Sequence, residues 1–524
     1  MAALTSSDSV MYVFGDIHLD PFYRTTKAVN DNATCEDANL PEFPMIGCDT
    51  SIALMESAIE DIFQQASLDG NGVMLITGDF LRHRMMEFDV PNAVGPAKHA
   101  VEYELARNIT YLIGSTITKY QAKYFRGDSK MNVVVHPNYF SLVFGNEDCV
   151  PNYEFNSVKN SSAHPALPHL VSGLMLITGD FLRHRMMEFD VPNAVGPAKH
   201  AVEYELARNI TYLIGSTITK YQAKYFRGDS KMNVVVHPNY FSLVFGNEDC
   251  VPNYEFNSVK NSSAHPALPH LVSGTSPPGT NLLILAINTV IYSKDHKGLQ
   301  GDATDPCGQF VWLEEQLNTA TINSQRVMIL GHIIPEATKW NATFLDTYRH
   351  MMKSYTSVIS AQFFGHTHMF TFLAESDHVA PPLFDVPGIT PRDGNMPAYL
   401  KVQFTDQGAG GSLNTSQWIV KQITGRFIDV SDPPSSTALG WQTGMTFPND
   451  FSTYPATTKG LMEYAQYLLP KSHHEQEWLT FQKFYYGGVV MKEMSNKKKT
   501  EVLCKATCHS ETDYEACKEK YKRK

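Results

Sequence analysis

The chain has 524 residues, of which 43% are hydrophobic and 19% are charged, and its formal net charge is −11. No segment approaches the ~18 consecutive apolar residues of a membrane-spanning helix, so the composition is typical of a soluble globular enzyme with no transmembrane segment. The negative charge argues against a nucleic acid polymer as partner, and we interpret the short basic stretches near the C-terminus as solvated ends.

Strand-like and helix-like segments alternate along the first half of the chain. The run MYVFGDIH predicts a first strand, and the spacing of apolar residues over Ser51–Ala66 predicts a helix. VMLITGDF predicts the second strand, Val101–Phe125 a second helix, and VVVHPNYFSLVFGNED a further strand.

The second half continues this alternation and then changes. Asn281–Ser293 predicts a buried strand, WLEEQL begins a helix, and RVMILGH predicts the strand after it. AYLKVQFT and SQWIVKQI flank a glycine-rich turn and predict a β-hairpin, and from about Thr457 the pattern is helical. We therefore predict an α/β layered sandwich, with a catalytic domain over residues 1–425 and a mostly helical, cysteine-containing extension over residues 426–524.

Five of the apolar runs end in a glycine that is followed at once by Asp, Asn or His. Because ligands bind beyond the carboxyl ends of strands in open α/β sheets, we expect these five loops to converge. One such motif alone is more often a turn or a helix cap, but five together favour a metal site. Oxygen and nitrogen donors without cysteine suit zinc, with manganese or iron as alternatives. The seven side chains are Asp16, His18, Asp79, Asn146, His332, His366 and His368.

Seven ligands are too many for one ion, so we expect two divalent ions. A bridging carboxylate would hold them ~3.5–4 Å apart, where they clamp the attacking and leaving oxygens of a phosphoryl displacement.

The order of these motifs resembles that of the calcineurin-like metallophosphoesterases. The segments GDIHLDPFY, GDFLRH, DPCGQFVWLEEQL and FFGHTH narrow the resemblance to the acid sphingomyelinase-like branch, which includes lysosomal or secreted phosphodiesterases and endopolyphosphatases. The resemblance implies a layered β-sandwich with flanking helices. It also implies that Asp79 bridges the two ions. The first ion would be held by Asp16, His18 and His368, and the second by Asn146, His332 and His366.

The third motif departs from the family pattern. The family has Gly-Asn-His at this point, whereas this chain has Gly145-Asn146-Glu147. An ionised Glu147 would repel a phosphodiester. Alternatively, Glu147 is a solvent-exposed loop carboxylate without a catalytic role. His83 matches the second family histidine, which protonates the leaving group, so we assign the catalytic acid role to His83.

A long segment is duplicated without any change. Residues 74–173 recur as residues 175–274, a period of 101 residues that begins and ends within the predicted catalytic sheet. A solenoid repeat is therefore excluded, and we favour a sequence-assembly error over a recent duplication. One copy must be looped out. We expect Asp79 and Asn146 of the first copy to form the site, with Asp180 and Asn247 of the second copy as the alternative.

The cysteines and glycosylation sequons predict the compartment. Cys35 and Cys48 bracket one loop, and Cys504, Cys508 and Cys517 lie close together near the C-terminus, so we predict disulfides rather than metal ligands. Five Asn-x-Ser/Thr sequons, two of which recur in the second copy at Asn209 and Asn261, favour an extracellular location or a lysosomal or vacuolar lumen, although the N-terminus lacks a signal peptide and we expect the true start to be missing. They begin at Asn32, Asn108, Asn160, Asn341 and Asn414.

The predicted activity is hydrolysis of a phosphoric diester by a metal-bridging hydroxide that attacks phosphorus in line. A phospholipid headgroup, a nucleotide and a polyphosphate all remain candidate substrates. One alternative is a nucleotide or polyphosphate phosphohydrolase of the same fold, and another is an inactive or misassembled binding protein. The sequence makes no prediction of the oligomeric state.

Overall fold

The structure, a computed structural model, describes parts of the predicted catalytic sheet and four helices near the C-terminus. The described residues are 9–24, 35, 39–69, 73–83, 109, 112–117, 119–120, 123–124, 140–142, 175–179, 241–245, 273–275, 282–295, 305, 309–374, 380–406, 418–431, 440–451, 454–470, 475–508 and 510–522. The residues of the sequence analysis that lie outside them include the third motif Gly145, Asn146 and Glu147, the second-copy residues Asp180 and Asn247, and the sequons at Asn32, Asn108, Asn160 and Asn414.

Within the described residues the regular elements are strands and helices in a mixed order. The strands are β1 (Ser9–Phe14), β2 (Val73–Ile76), β3 (Phe140–Leu142), β4 (Met175–Gly179), β5 (Phe241–Phe245), β6 (Ser273–Thr275), β7 (Leu282–Ala286), β8 (Arg326–Ile333), β9 (Ile359–Gly365), β10 (Thr371–Leu373), β11 (Leu383–Asp385), β12 (Ala398–Asp406), β13 (Trp418–Phe427) and β14 (Gln442–Phe447). The helices are α1 (Ile52–Leu68), α2 (Gln309–Ile322), α3 (Ala342–Ser354), α4 (Thr458–Leu468), α5 (Glu475–Tyr485), α6 (Asn496–Thr507) and α7 (Glu511–Lys522).

Two six-stranded sheets form the centre of the fold. The first has the order β14-β13-β12-β1-β2-β3, and the second has the order β10-β11-β9-β8-β7-β6. In the first sheet β1, β2 and β3 are parallel, while β12 pairs with β1 antiparallel. In the second sheet β7, β8 and β9 are parallel. The carboxyl ends of neighbouring parallel strands therefore lie together in each sheet.

The two sheets pack face to face because their strands alternate between two apolar sides. In β1, Met11 and Val13 enter the core between the sheets, whereas Tyr12 and Phe14 enter a second core on the outer face. The inner core is completed from the second sheet by residues such as Phe363 of β9. This arrangement is the layered sandwich that the sequence predicts.

Helices cover the outer faces of both sheets. Ile59 and Ile62 of α1 pack into the outer core of the first sheet, and Leu313 of α2 and Tyr348 of α3 pack into that of the second. α1 begins after Ser51, whose hydroxyl accepts a hydrogen bond from the Leu54 amide. The predicted α/β class with flanking helices is confirmed.

Several element predictions agree with the structure, and one is wrong. The hairpin is confirmed as antiparallel β12 and β13, and the described parts of Val101–Phe125 are helical. The predicted strand Asn281–Ser293 ends at Ala286 and continues as a short 3-10 helix over Val290–Tyr292. The reason is a turn in which the Asn288 side chain accepts from the Val290 amide, so local hydrogen bonding outweighs β-propensity.

The helical C-terminal region packs against the sandwich. Its first helix begins at Thr458 with a Thr457 cap, close to the predicted change at Thr457. Residue 425 lies within β13, and β14 pairs with β13 in the same sheet. Leu461 of α4 and Leu503 of α6 contribute to the core between the sheets.

The two copies of the duplicated segment occupy different places among the described strands. β2 and β3 of the first copy pair with β1 in the first sheet. β4 and β5 of the second copy form a separate two-stranded sheet, and no other described strand pairs with them. Asp79, which belongs to the first copy, therefore lies directly after a strand of the sandwich.

Two disulfides are present among the described cysteines. They join Cys35 to Cys48 and Cys504 to Cys517, and Cys508 is free. The prediction of disulfides is confirmed for the four paired cysteines and not for Cys508. Across the described ranges, no helix combines the length and apolar character needed to cross a membrane.

Candidate metal centre

Six of the seven predicted metal ligands lie at the carboxyl ends of four strands. Asp16 and His18 follow β1, Asp79 follows β2, and His366 and His368 follow β9. His332 is the penultimate residue of β8. The pairs β1–β2 and β8–β9 are each parallel, so their ends meet at one edge of the sandwich. The seventh ligand, Asn146, lies outside the described residues.

The backbone adopts unfavourable conformations at most of these residues. Left-handed φ angles occur at Asp16 (46°), His18 (43°), Asp79 (54°), His366 (79°) and His368 (61°). For residues other than glycine, such a conformation costs on the order of 1–3 kcal/mol and clusters at functional sites. The recurrence at five predicted ligands indicates that their side chains are needed where glycine would be less strained.

The glycines before the ligands allow the strand ends to approach closely. A Cβ on Gly15 would lie 1.9 Å from the Thr77 hydroxyl oxygen, and a Cβ on Gly365 would lie 2.5 Å from Asp16 Oδ2. Either contact is shorter than packed atoms tolerate. The glycine in these motifs therefore has a packing reason that is separate from metal binding.

Asp79 lies between two groups of donor atoms. Its Oδ2 is 3.4 Å from His18 Nε2 and 3.2 Å from His332 Nε2. Asp79 with Asp16 and His18 forms one group that could hold a metal ion, and Asp79 with His332 and His366 forms another. This is the position expected of the bridging carboxylate.

Hydrogen bonds fix which ring nitrogens face the centre. His18 Nδ1 is 2.9 Å from the Leu81 carbonyl oxygen, and His332 Nδ1 is 2.7 Å from the Thr77 carbonyl oxygen. A carbonyl can only accept, so each Nδ1 carries a proton and donates it. In its neutral form each ring presents the lone pair of Nε2 to the centre, as a metal ligand must, and His332 would take that form when a metal ion replaces its proton.

The donor set fits a cation. His18 Nε2 and His368 Nε2 are 3.1 Å apart, and His368 Nε2 is 3.6 Å from Asp16 Oδ1. Two nitrogen lone pairs and a carboxylate at these distances repel one another unless a proton or a metal ion lies between them. His18 and Asp16 are fully buried, so water does not screen this repulsion.

The pKa values of the site reflect burial first and neighbouring charges second. Burial raises the pKa of Asp16 to about 6 and lowers the pKa of His18 and of His366 well below the usual histidine value. Burial also opposes protonation of His332, but the Asp79 carboxylate outweighs it and raises the pKa of His332 to about 9. Neutral His18 and His366 are available as metal ligands.

His83 lies beside the centre and is held by a carboxylate that the sequence analysis missed. Its Nδ1 is 2.7 Å from Asp49 Oδ1, and its backbone amide donates to Asp49 Oδ2 at 3.0 Å. The His83 ring stacks on His18 with a centroid separation of 3.7 Å. Burial alone would raise the pKa of Asp49, but His83 outweighs it and holds this pKa below its usual value.

Two further charged residues reach the ligands from segments without a motif. Asp393 Oδ2 is 3.0 Å from His368 Nδ1, and Lys339 Nζ is 3.2 Å from His366 Nε2. The ion pair lowers the pKa of Asp393 to about 2. None of the predicted strand-end motifs contains Asp49, Asp393 or Lys339. Only their tertiary contacts identify these three residues as part of the site.

A layered α/β sandwich with two donor groups that share one carboxylate supports two metal ions at the strand ends. No protein-family model matches the chain. The curated relatives are phosphodiesterases. The sphingomyelinase phosphodiesterase D of Dictyostelium discoideum is 30% identical over 166 residues, which cover 29% of this chain and 36% of that protein.

Two mammalian relatives are similar to shorter parts of the chain. The cyclic GMP-AMP phosphodiesterase of Mus musculus is 36% identical over 133 residues, covering 23% of this chain and 28% of the relative. The human sphingomyelin phosphodiesterase is 31% identical over 144 residues, which cover 26% of this chain and 22% of the relative. A solved dimetal phosphatase from Danio rerio aligns with 80% of this chain and 95% of its own, at 8% identity and a TM-score of 0.33.

The similarity to acid sphingomyelinase-like phosphodiesterases that the motifs indicate is confirmed by these relatives. The matched regions span about a third or less of each relative's own length, at 36%, 28% and 22%.

Proposed function

We propose that the chain is a dinuclear-metal phosphodiesterase that hydrolyses a phosphoric diester. The observation that carries this proposal is the pair of donor groups that share Asp79 at the ends of four strands. Asn146 would complete the second group. The similarity to phosphodiesterases of Dictyostelium discoideum and Homo sapiens supports the same chemistry.

The metal ions are two divalent cations, with zinc as the first choice and manganese or iron as alternatives. Imidazole and carboxylate donors without thiolate suit all three. One ion would be held by Asp16, His18 and His368, and the other by Asn146, His332 and His366. When bound, the ions would lower the pKa of water and neutralise charge on the phosphoryl group.

His83 would give a proton to the departing oxygen. Its Nδ1 is engaged with Asp49, so Nε2 is the nitrogen available to the substrate. The His83 side chain is 20% exposed, whereas that of Asp49 is 3% exposed. His83 can therefore exchange protons with solvent while Asp49 holds its ring in place.

The substrate is a phospholipid headgroup, a nucleotide or a polyphosphate. The relatives' names include both sphingomyelin and cyclic GMP-AMP, so they do not favour one of these classes. The two disulfides support an extracellular or lysosomal or vacuolar lumenal location. The division into a catalytic domain over residues 1–425 and an extension over residues 426–524 stays a prediction.

The duplicated segment supplies an internal control for the test. Asp79→Asn removes the charge shared by both donor groups, whereas Asp180→Asn makes the identical change in the second copy. We expect Asp79→Asn to lower the metal content and to reduce turnover of bis(p-nitrophenyl) phosphate by more than about a hundred-fold, a larger loss than an outer-sphere change gives. Asp180→Asn should leave both unchanged.

Elemental analysis of the purified chain should find close to two metal ions per chain in the parent and in Asp180→Asn. A reproducible content of one ion with full activity would refute the dinuclear proposal. Loss of activity in Asp180→Asn alone would instead mean that the second copy forms the site.

A further inference from the structure

Lys339 is a cation at the edge of the proposed metal centre that the mechanism so far does not use. Its Nζ donates a hydrogen bond to His366 Nε2 at 3.2 Å. Because His366 is one of the proposed metal ligands, the Lys339 ammonium group lies close to the proposed metal position. The Lys339 side chain is half-buried.

The backbone of Lys339 is firmly held, which directs its side chain into the site. Its amide donates to the Glu336 carbonyl oxygen at 3.0 Å, and its carbonyl oxygen accepts from the Lys294 amide at 2.9 Å. The next residue, Trp340, is fully buried and donates from Nε1 to the Ile333 carbonyl oxygen at 3.0 Å. This segment leads directly out of β8, which carries His332.

Among the described residues no carboxylate forms an ion pair with Lys339, although the Asp385 carboxyl, whose pKa is raised by burial, is near enough for Lys339 to oppose that rise. The nearest acid in sequence, Glu336, is buried and is paired instead with Lys505 at 2.9 Å. The only side-chain acceptor that the described residues give Lys339 is therefore the imidazole of His366.

That contact cannot persist when His366 acts as a metal ligand. A neutral imidazole has one free lone pair, so when a metal ion uses it, Nε2 is either coordinated itself or carries the ring proton, and in both cases it accepts nothing from Lys339. The ammonium group then loses its acceptor and is repelled by the divalent ion, unless an anion lies between the two cations. The phosphoryl group of the substrate is an anion that binds at this position under the proposed function.

We propose that Lys339 contacts a non-bridging oxygen of the phosphoryl group that is hydrolysed. This inference rests on the proposed function and adds a substrate-binding residue to it. A lysine ammonium is a compact point charge on a flexible stem, so it can leave His366 and reach a phosphate oxygen without movement of the backbone. The contact strengthens binding of the phosphodiester and of a phosphate product alike.

The test measures phosphate binding as well as turnover, with the full chain loaded with zinc. Lys339→Gln removes the charge, Lys339→Arg keeps it, and Lys294→Gln removes the charge of an exposed lysine whose backbone is bonded to Lys339. We would titrate inorganic phosphate into each protein by calorimetry and determine KM and kcat for bis(p-nitrophenyl) phosphate. Metal content would be measured on the same samples.

We expect Lys339→Gln to weaken phosphate binding and to raise KM by about ten- to a hundred-fold, the loss of a charge-assisted hydrogen bond, with the zinc content unchanged. Lys339→Arg and Lys294→Gln should remain within a few-fold of the parent. Unchanged phosphate binding in Lys339→Gln would overturn the proposal, and so would a loss of zinc in that variant, because Lys339 would then act on the metal site. If the parent binds phosphate through Lys339 but hydrolyses no diester, the proposed function fails while the phosphate contact stands.

Discussion

At the scale of single residues, Asp49 decides how His83 can act. Asp49 binds both the ring Nδ1 and the backbone amide of His83, so it fixes the ring's orientation and its tautomer together. Arg392 Nη1 lies 3.4 Å from Oδ2 of the same carboxylate and adds to the effect of His83, which holds the pKa of Asp49 below its usual value. A histidine held in this way presents one defined nitrogen to a leaving group.

Asp49→Asn tests this positioning role. The amide keeps the shape but loses the charge that orients the ring, so we expect turnover of a diester with an alkoxide leaving group to fall by about ten- to a hundred-fold. A p-nitrophenolate leaving group needs little protonation, so its turnover should fall much less. Equal losses for both substrates would mean that Asp49 only supports the fold. Thermal unfolding of the variant provides the stability control.

The proposed ligands could be predicted from the sequence because each follows a glycine at a strand end. Asp16, His18 and Asp79 share that local signal, and the structure brings them together at the strand ends. Asp49 could not be predicted, since it lies two residues before Ser51, the cap of α1, and resembles an ordinary helix-start residue. Lys339 lacks any signal, because its contact with His366 depends on how β8 and β9 pair.

At the scale of elements, close packing of strand ends keeps the donor atoms together. Gly365 ends β9 beside Asp16, and a Cβ there would lie 2.5 Å from Asp16 Oδ2 and 2.8 Å from the Thr77 hydroxyl oxygen. Relief of these contacts requires the Asp16 carboxylate and the Thr77 side chain to leave their positions at the ends of β1 and β2. The distance between the two sheets at the site therefore depends on this glycine.

Gly365→Ala should separate these strand ends. We expect overpacking to cost about 1–3 kcal/mol of folding free energy and to lower the metal content, because Asp16 is displaced. Gly440→Ala is the matched control, since nothing lies within 4 Å of its added Cβ, and it should change stability by less than about 0.5 kcal/mol. Denaturant unfolding and elemental analysis measure the two effects. A Gly365→Ala protein with parental stability and metal content would contradict this account.

The order of strands and helices could largely be predicted, whereas their ends could not. In β1 and β8, successive residues alternate between the core inside the sandwich and the core on the outer face of the sheet, as packing on both faces requires. The helix before β8 begins at Gln309, three residues before the predicted start at Trp312, because Asp305 accepts from the Phe310 amide and so fixes an earlier first turn. Such side-chain caps act locally and are hard to distinguish in a periodic pattern.

At the scale of the whole molecule, the sandwich has room for one copy of the duplicated segment. β2 and β3 of the first copy occupy the edge of the first sheet beside β1. β4 and β5 carry the same strand sequences, yet they pair only with each other among the described strands. A two-stranded sheet without further partners is marginally stable in water, so β4 and β5 add little to the fold. The end of the second copy differs, because Ser273 and Gly274 belong to β6, which pairs with β7 in the second sheet. The sequence alone could not decide which copy enters the sheet, because the two are identical.

Deletion of residues 74–174 should therefore give an active and more stable enzyme. The deletion joins Val73 to Met175, and the remaining copy supplies the same strand sequences and the same ligand types to the sheet beside β1. It leaves one copy, so we expect the retained β4 and β5 sequences to take the places of β2 and β3 beside β1 instead of offering unpaired edges to other chains. We expect a higher Tm, less aggregation and unchanged turnover of bis(p-nitrophenyl) phosphate per zinc-loaded chain. Deletion of His366–His368 is the contrasting change and should abolish turnover, because it removes a ligand from each donor group. If the shortened chain unfolds or loses activity while the 524-residue chain works, the duplicated segment is a functional insertion and not a sequence-assembly error.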